Sequence, residues 1–348
     1  MKLQARPRNK NERIDCGLSP QMMDPERFRP FADLYLKLDT VLRRDMLCHY
    51  SGTIPALYWI ELCRNPKYSH KKLVQTVNRS FPNALQKLAA NSKELTSLSL
   101  VSLGPGNGEI DALVLRHLET KLNVRCYYCV DFSFELLRHA IYQIANDKVL
   151  KSDFQIRAIW GSFAEPGSWM HHEEGVRLFS LMGFTLGNYS EANLLGCIRE
   201  QMQSGDFLLL DAHLYEFEDW NGKLPLPEKE RLHLLNGYSQ EETNRFVFGP
   251  VEAATTACAS DVAFDSRIHS GMTCVPGAIN ITIFCKGLHT RMRFTDEVIQ
   301  QSQIDLATTT FYSFKHLKNW FQFAGFDCVW HKQEGSIGLF LLKRKGLL

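Results

Sequence analysis

Apolar and polar positions change rhythm three times along the chain. Over residues 24–95, "DPERFRPFADLYLKLDTVLRRDMLCHY" and "KKLVQTVNRSFPNALQKLAANS" repeat apolar residues three and four apart, the stripe of an amphipathic helix. Between them, "SGTIPALYWIELCRNPKYSH" has Ser51-Gly52 at one end and Asn65-Pro66 at the other. Two turns there predict a short framed helix.

From residue 96 the rhythm alternates. "SLSLVSLG", "NVRCYYCVD", "FQIRAIWGSF", "RLFSLMG" and "DFLLLDAHL" predict strands. "EIDALVLRHLETKL", "FSFELLRHAIYQIAND" and "SEANLLGCIREQMQSG" predict helices, the last with Ser190 at its N-cap. Such alternation specifies a parallel sheet with helices on both faces, so residues 91–214 read as an α/β domain. Residues 215–310 abandon it for a loop, a helix and the period-two run "AINITIFCKGLHTRMRF", an antiparallel layer. Residues 311–348 predict a helix and a hairpin around Glu334-Gly335 that completes the sheet.

Composition adds limits. A chain of 348 residues, 45% apolar and 22% charged, has room for two lobes of a soluble protein. A net charge of +2 does not call for a nucleic-acid partner. Residues 1–20 carry Lys2, Arg6, Arg8, Lys10 and Arg13 without an apolar run behind them, and read as a mobile basic arm rather than a secretory signal. No run approaches the roughly 18–20 apolar residues of a membrane span, so the expectation is a cytoplasmic protein without a membrane partner. Ten cysteines are scattered. The one CxxC pair, Cys126 and Cys129, falls inside a predicted strand and reads as buried thiols. His171-His172 lacks ligand spacing, and no metal is expected.

The chemistry concentrates at "LGPGNGEID". A strand-to-helix turn without a ligand is one reading. A dinucleotide fingerprint needs G-x-G-x-x-G, and here Glu109 takes the place of the last glycine. A P-loop needs Lys-Ser or Lys-Thr after the glycines, which is absent. The remaining reading is G-x-G-x-G with Gly104, Gly106 and Gly108, the first loop of class I S-adenosylmethionine (SAM) methyltransferases. Small residues let the backbone approach the ligand, and the helix N-terminus behind them suits its carboxylate. Asp131, 23 residues beyond Gly108 at the tip of the next strand, is the candidate for the two ribose hydroxyls. Its other reading is an N-cap for "FELLRHA". Ser162 and Phe163, after the third strand, are candidates for the adenine. After the fourth strand, Gly183, Gly187 and Asn188 would lie against the sulfonium and the acceptor, unless Asn188 merely supplies a left-handed turn.

The stretch "LFSLMGFTLGNYSEANL", with "VDFSFELL", "SGDFLLLDAHL" and "LYWIELCRNPKYSHKK", resembles the L-histidine Nα-methyltransferase family of the ergothioneine pathway, which includes fungal N-methyltransferases of prenylated tryptophan. The resemblance runs from about residue 50 to the C-terminus. It implies a Rossmann-like class I SAM domain joined to a substrate lobe made of residues 21–90 and 215–310, with the acceptor amine between them. It also implies amino acid N-methylation in natural product biosynthesis. By matching position, Asn188 would hold the amino acid backbone of the substrate and Tyr68 would lie over the site. Thr309 and Phe311 stand where the histidine enzymes carry an acid and a serine, and Ser162 where the bacterial ones carry an aspartate. The acceptor implied is therefore an amino acid or amino-acid-like small amine, with histidine, an aromatic or apolar side chain, or a basic one read by Glu216, Glu218 or Asp219 all open.

Methyl transfer from a sulfonium is an in-line displacement needing alignment and a neutral amine, without metal or covalent intermediate. Two rival readings remain. One is a methyltransferase of RNA, DNA or protein, which the "LGNY" loop does not favour. The other is a non-catalytic subunit that kept the SAM fold.

Overall fold

The structure, a computed structural model, describes residues 14–18, 53–92, 95–147, 154–164, 175–215, 241–275, 277–292 and 298–346. The chain divides into two compact units. The first comprises residues 1–23, 72–214 and 317–348, and the second residues 24–71 and 215–316.

In the first unit the predicted alternation forms one sheet. Its strands are β1 (Ile14–Leu18), β2 (Ser97–Leu103), β3 (Asn123–Asp131), β4 (Gln155–Trp160), β5 (Val176–Leu181) and β6 (Phe207–Leu214). They lie side by side in the order β1-β4-β3-β2-β5-β6, every neighbouring pair parallel. The C-terminal hairpin closes the sheet. Numbered β10 (Phe326–Glu334) and β11 (Ile337–Arg344), its strands pair with each other and β11 pairs antiparallel with β6. This is the sheet expected of a class I methyltransferase. Residues 14–18, read above as part of a mobile arm, instead extend its edge beyond β4.

The unit's core explains the fold. Helices α1 (Thr53–Arg64) and α2 (Ser69–Ala90) precede β2. On α2, Leu73, Val77, Phe81, Leu85 and Leu88 are buried at helical spacing. They join Leu98 and Leu100 of β2, Leu178 of β5 and Leu209 of β6 in one cluster. Helix α3 (Glu109–Glu119) adds Val114, Leu115 and Leu118, and α4 (Phe134–Ala145) adds Leu137 and Ile144. Helix α5 (Glu191–Gln201) buries Leu194, Leu195 and Ile198. Its Ser190 occupies the N-cap position without donating or accepting a side-chain cap bond.

In the second unit, α1 packs on α6 (Glu241–Cys258): Trp59 lies 5.3 Å from Phe246 between ring centroids, and Arg245 lies over Tyr58. Strands β7 (Ala259–Val275), β8 (Ala278–Met292) and β9 (Val298–Tyr312) form an antiparallel meander, followed by α7 (Phe314–Phe323), which runs into the first unit. The sequence reading foresaw β8 alone among these strands. Helical segments expected within residues 24–52 lie outside the described residues.

Candidate active site

Strand order reverses between β2 and β5, and ligands of open α/β sheets bind outside the carboxyl ends of the strands at such a switch. The glycine loop leaves β2 at this point. Gly104, Gly106 and Gly108 have φ of 72°, 57° and 75°, left-handed values that side chains rarely tolerate. Gly104 donates its N–H to Val130 O at 2.8 Å, tying the loop to β3. Two glycines also answer to neighbours within the protein. A Cβ on Gly104 would lie 3.1 Å from Cε1 of Phe163, and one on Gly108 would lie 2.9 Å from Cα of Ala140. Gly108 therefore lets α3 and α4 approach closely, a demand of packing.

Asp131 ends β3 beside this loop and is buried. Its Oδ1 accepts the N–H of Ser133 at 2.8 Å. Ser133 itself caps α4, its hydroxyl accepting the N–H of Leu136, so the cap role considered for Asp131 is filled two residues later. Burial raises the Asp131 carboxyl to about 7. The N–H groups of Ser133, Gly106 and Phe132 work against that rise, and the charge of Asp111 adds to it. Asp111, in the first turn of α3, is a second buried carboxylate that sequence reasoning missed. Burial raises it to about 6, although Ser102 and Tyr127 hydrogen-bond to it.

The other two loops converge on the first. Ser162 and Phe163 follow β4 and are buried. Ser162 Oγ accepts the N–H of Ala164 at 3.3 Å, a local turn contact. The Phe163 ring, already against Gly104, sits 5.9 Å from that of Tyr189 between centroids. After β5, Gly183 has φ 90° with open space where its Cβ would be. Next comes Phe184, the one non-glycine residue with positive φ among the described residues. Asn188 ends a 3₁₀ turn, Thr185–Asn188, half-buried and outside the left-handed region. The left-handed reading of Asn188 is thus corrected: Phe184 takes that conformation. Asp211 and His213 of β6 lie behind this turn, and sequence reasoning missed both. Charged and polar residues breaking the apolar run "DFLLLDAHL" were the signal available.

The second unit holds the remaining candidates. Tyr68, half-buried, packs edge-on to Trp59 with ring centroids 6.0 Å apart. Thr309 and Phe311 are buried on β9, two apart and hence on one face. Cys126 and Cys129 are buried in β3. Three residues apart, they project to opposite faces of the sheet and cannot share a ligand. His171, His172, Glu216, Glu218 and Asp219 lie outside the described residues.

Residues 58–220 match the family model described as histidine-specific methyltransferase, SAM-dependent. Comparison with curated proteins gives no match. Among solved structures, a SAM-dependent methyltransferase from Clostridium acetobutylicum is 11% identical with a TM-score of 0.41, over 77% of this chain and 92% of that one. A sugar N-methyltransferase from Streptoalloteichus is 11% identical with a TM-score of 0.39, over 80% and 90%. A glycopeptide N-methyltransferase complexed with SAM is 13% identical with a TM-score of 0.38, over 76% and 87%. The glycine loop, Asp131 and the turn after β5 all fall within residues 58–220, the segment that matches the family model of SAM-dependent methyltransferases described as histidine-specific.

Proposed function

We propose that the chain methylates the amine nitrogen of a free amino acid or amino-acid-like small molecule. The observation carrying this reading is the family match over residues 58–220, which spans Tyr68, the glycine loop and Asn188 together. The residues fit the cofactor. SAM presents two vicinal ribose hydroxyls, both donors, and Asp131 is a buried acceptor beside a loop stripped of side chains at Gly104 and Gly106. Phe163 offers a ring for the adenine face. Bound SAM supplies an electrophilic methyl group.

The protein's own work is then alignment and exclusion of water. Asn188 carries both a donor and an acceptor and orients the amino acid end of the acceptor. The amine must be neutral to attack, and burial lowers an ammonium pKa without a dedicated base. Alignment of this kind supplies up to roughly 7–11 kcal/mol in well-oriented intramolecular cases. Tyr68, Thr309 and Phe311 are proposed to recognise the acceptor's side chain.

Mass spectrometry of amino acids incubated with protein and SAM tests the reading. A gain of one or more methyl masses on a free amino acid, lost in Asn188→Ala, supports it. Methylation only of RNA, DNA or protein, or SAM binding without turnover on any small amine, overturns it.

A further inference from the structure

The turn bearing Asn188 rests on strand β6. Phe184, at φ 62° and ψ 20°, takes a conformation that sterics disfavour for a bulky residue. Such an outlier persists where surrounding structure over-determines it. Two residues of β6 do this. Asp211 Oδ2 accepts the Phe184 N–H at 3.0 Å; burial raises this carboxyl to about 7, and the Phe184 and Gly183 N–H groups work against that rise. His213, two positions on and so on the same face, stacks its ring flat on Phe184, with centroids 3.6 Å and planes 5° apart. Both side chains are buried, and Oδ1 of Asp211 is enclosed without a hydrogen bond of standard geometry.

An enclosed carboxylate is a costly way to fill a core position. An apolar residue would pack there, yet it could not hold two backbone N–H groups at the start of a turn. Downstream the turn is closed by its own bonds: Thr185 Oγ1 donates to Met182 O at 3.0 Å, and the Gly187 N–H donates to Phe184 O at 3.2 Å. The Gly183–Phe184 end is the part fixed from outside.

We propose that Asp211 and His213 are positioning residues that clamp the strained Gly183–Phe184 turn and thereby set Asn188 for the acceptor. This rests on the reading of Asn188 given above. Neither side chain touches the reacting atoms. The acceptor side of the site is held by the strand beneath it, as the cofactor side is held by Asp131.

Hydrogen–deuterium exchange on the full-length chain tests the clamp without any acceptor. S-adenosylhomocysteine serves as the calorimetric probe. In Asp211→Asn, amides of peptides covering residues 182–189 exchange about tenfold faster, while β2, β3 and β4 keep their protection. S-adenosylhomocysteine affinity falls by no more than a few-fold, since the glycine loop, Asp131 and the loop after β4 are untouched and Gly183 alone of its candidate contacts lies in the loosened turn. His213→Ala shows the same local pattern. Unchanged exchange over 182–189 overturns the proposal. So does a rise in exchange across the whole sheet with loss of S-adenosylhomocysteine binding, which marks a purely structural role. Failure of the acceptor screen leaves this outcome readable on its own.

Discussion

Asp131, proposed to take the ribose, is destabilising as long as it is buried without a ligand. Its carboxyl lies near pKa 7 when folded, against an ordinary value of 3.8, chiefly because it is buried. The folded state therefore holds this proton more tightly than the unfolded chain. The resulting stability is fully present below the unfolded pKa and is lost as pH rises through about 7. Asp131→Asn removes the buried charge and keeps an acceptor for Ser133. At pH 8 its ligand-free thermal midpoint should rise, with a gain of up to about 4 kcal/mol as the ceiling set by the shift. Calorimetry of the same variant should show SAM binding weakened by roughly 10- to 100-fold, as two hydrogen bonds to a charged acceptor become ordinary ones. Wild-type SAM affinity should itself rise with pH, by up to about tenfold per unit from pH 5.5 to 7, then level off. The ribose donors favour the ionised carboxylate, so binding expels its proton. A flat profile across that range would remove Asp131 from the ribose.

At the scale of elements, the three glycines separate by cause. Gly108→Ala forces a side chain into the left-handed region and against the backbone of Ala140. It should cost about 1–3 kcal/mol in denaturant melts, by prising α3 from α4. Gly104→Ala meets instead the edge of the Phe163 ring, a side chain that can yield, so a larger share of its effect should appear as lost SAM affinity. Equal loss of stability in the two variants would contradict this division. The glycine spacing was legible in the sequence, but not which neighbour each glycine serves. That depends on α4 and the loop after β4 folding back over the loop after β2. The clamp on Phe184 was hidden for the same reason, since Asp211 meets residue 184 only once β5 and β6 pair. At the opposite end of these strands, Arg177 and Asp206 form a buried ion pair across the same neighbours. Arg177→Ala should cost about 3–5 kcal/mol in denaturant melts, the toll of stranding a buried carboxylate, with the SAM site unaffected.

Across the whole molecule, what the sequence made legible follows burial. Strand β6 is buried along its full length and reads as an apolar run interrupted only at Asp211 and His213. The first unit's other inner strands are nearly as apolar, so the alternation of strands with helices could be seen directly. Strands β7 and β9 carry runs such as "DSRIHSG" and "VIQQSQ", whose polar positions hide a period-two pattern. Strand β1 is five residues inside a basic stretch, and its pairing with β4 supplies what its sequence lacks. Asp131 is a candidate because a motif fixes its spacing. Asp111 closes "LGPGNGEID" and Asp211 and His213 lie in "SGDFLLLDAHL", but neither motif assigns them a role, and three-dimensional adjacency alone reveals it. The central claim is that SAM binds across the glycine loop with its ribose on Asp131. Calorimetric titration of SAM into wild type and Asp131→Ala tests it most directly. Binding in the wild type that collapses in the variant, with the variant still folded, is the result expected. No binding by the wild type, or equal binding by both, would contradict it.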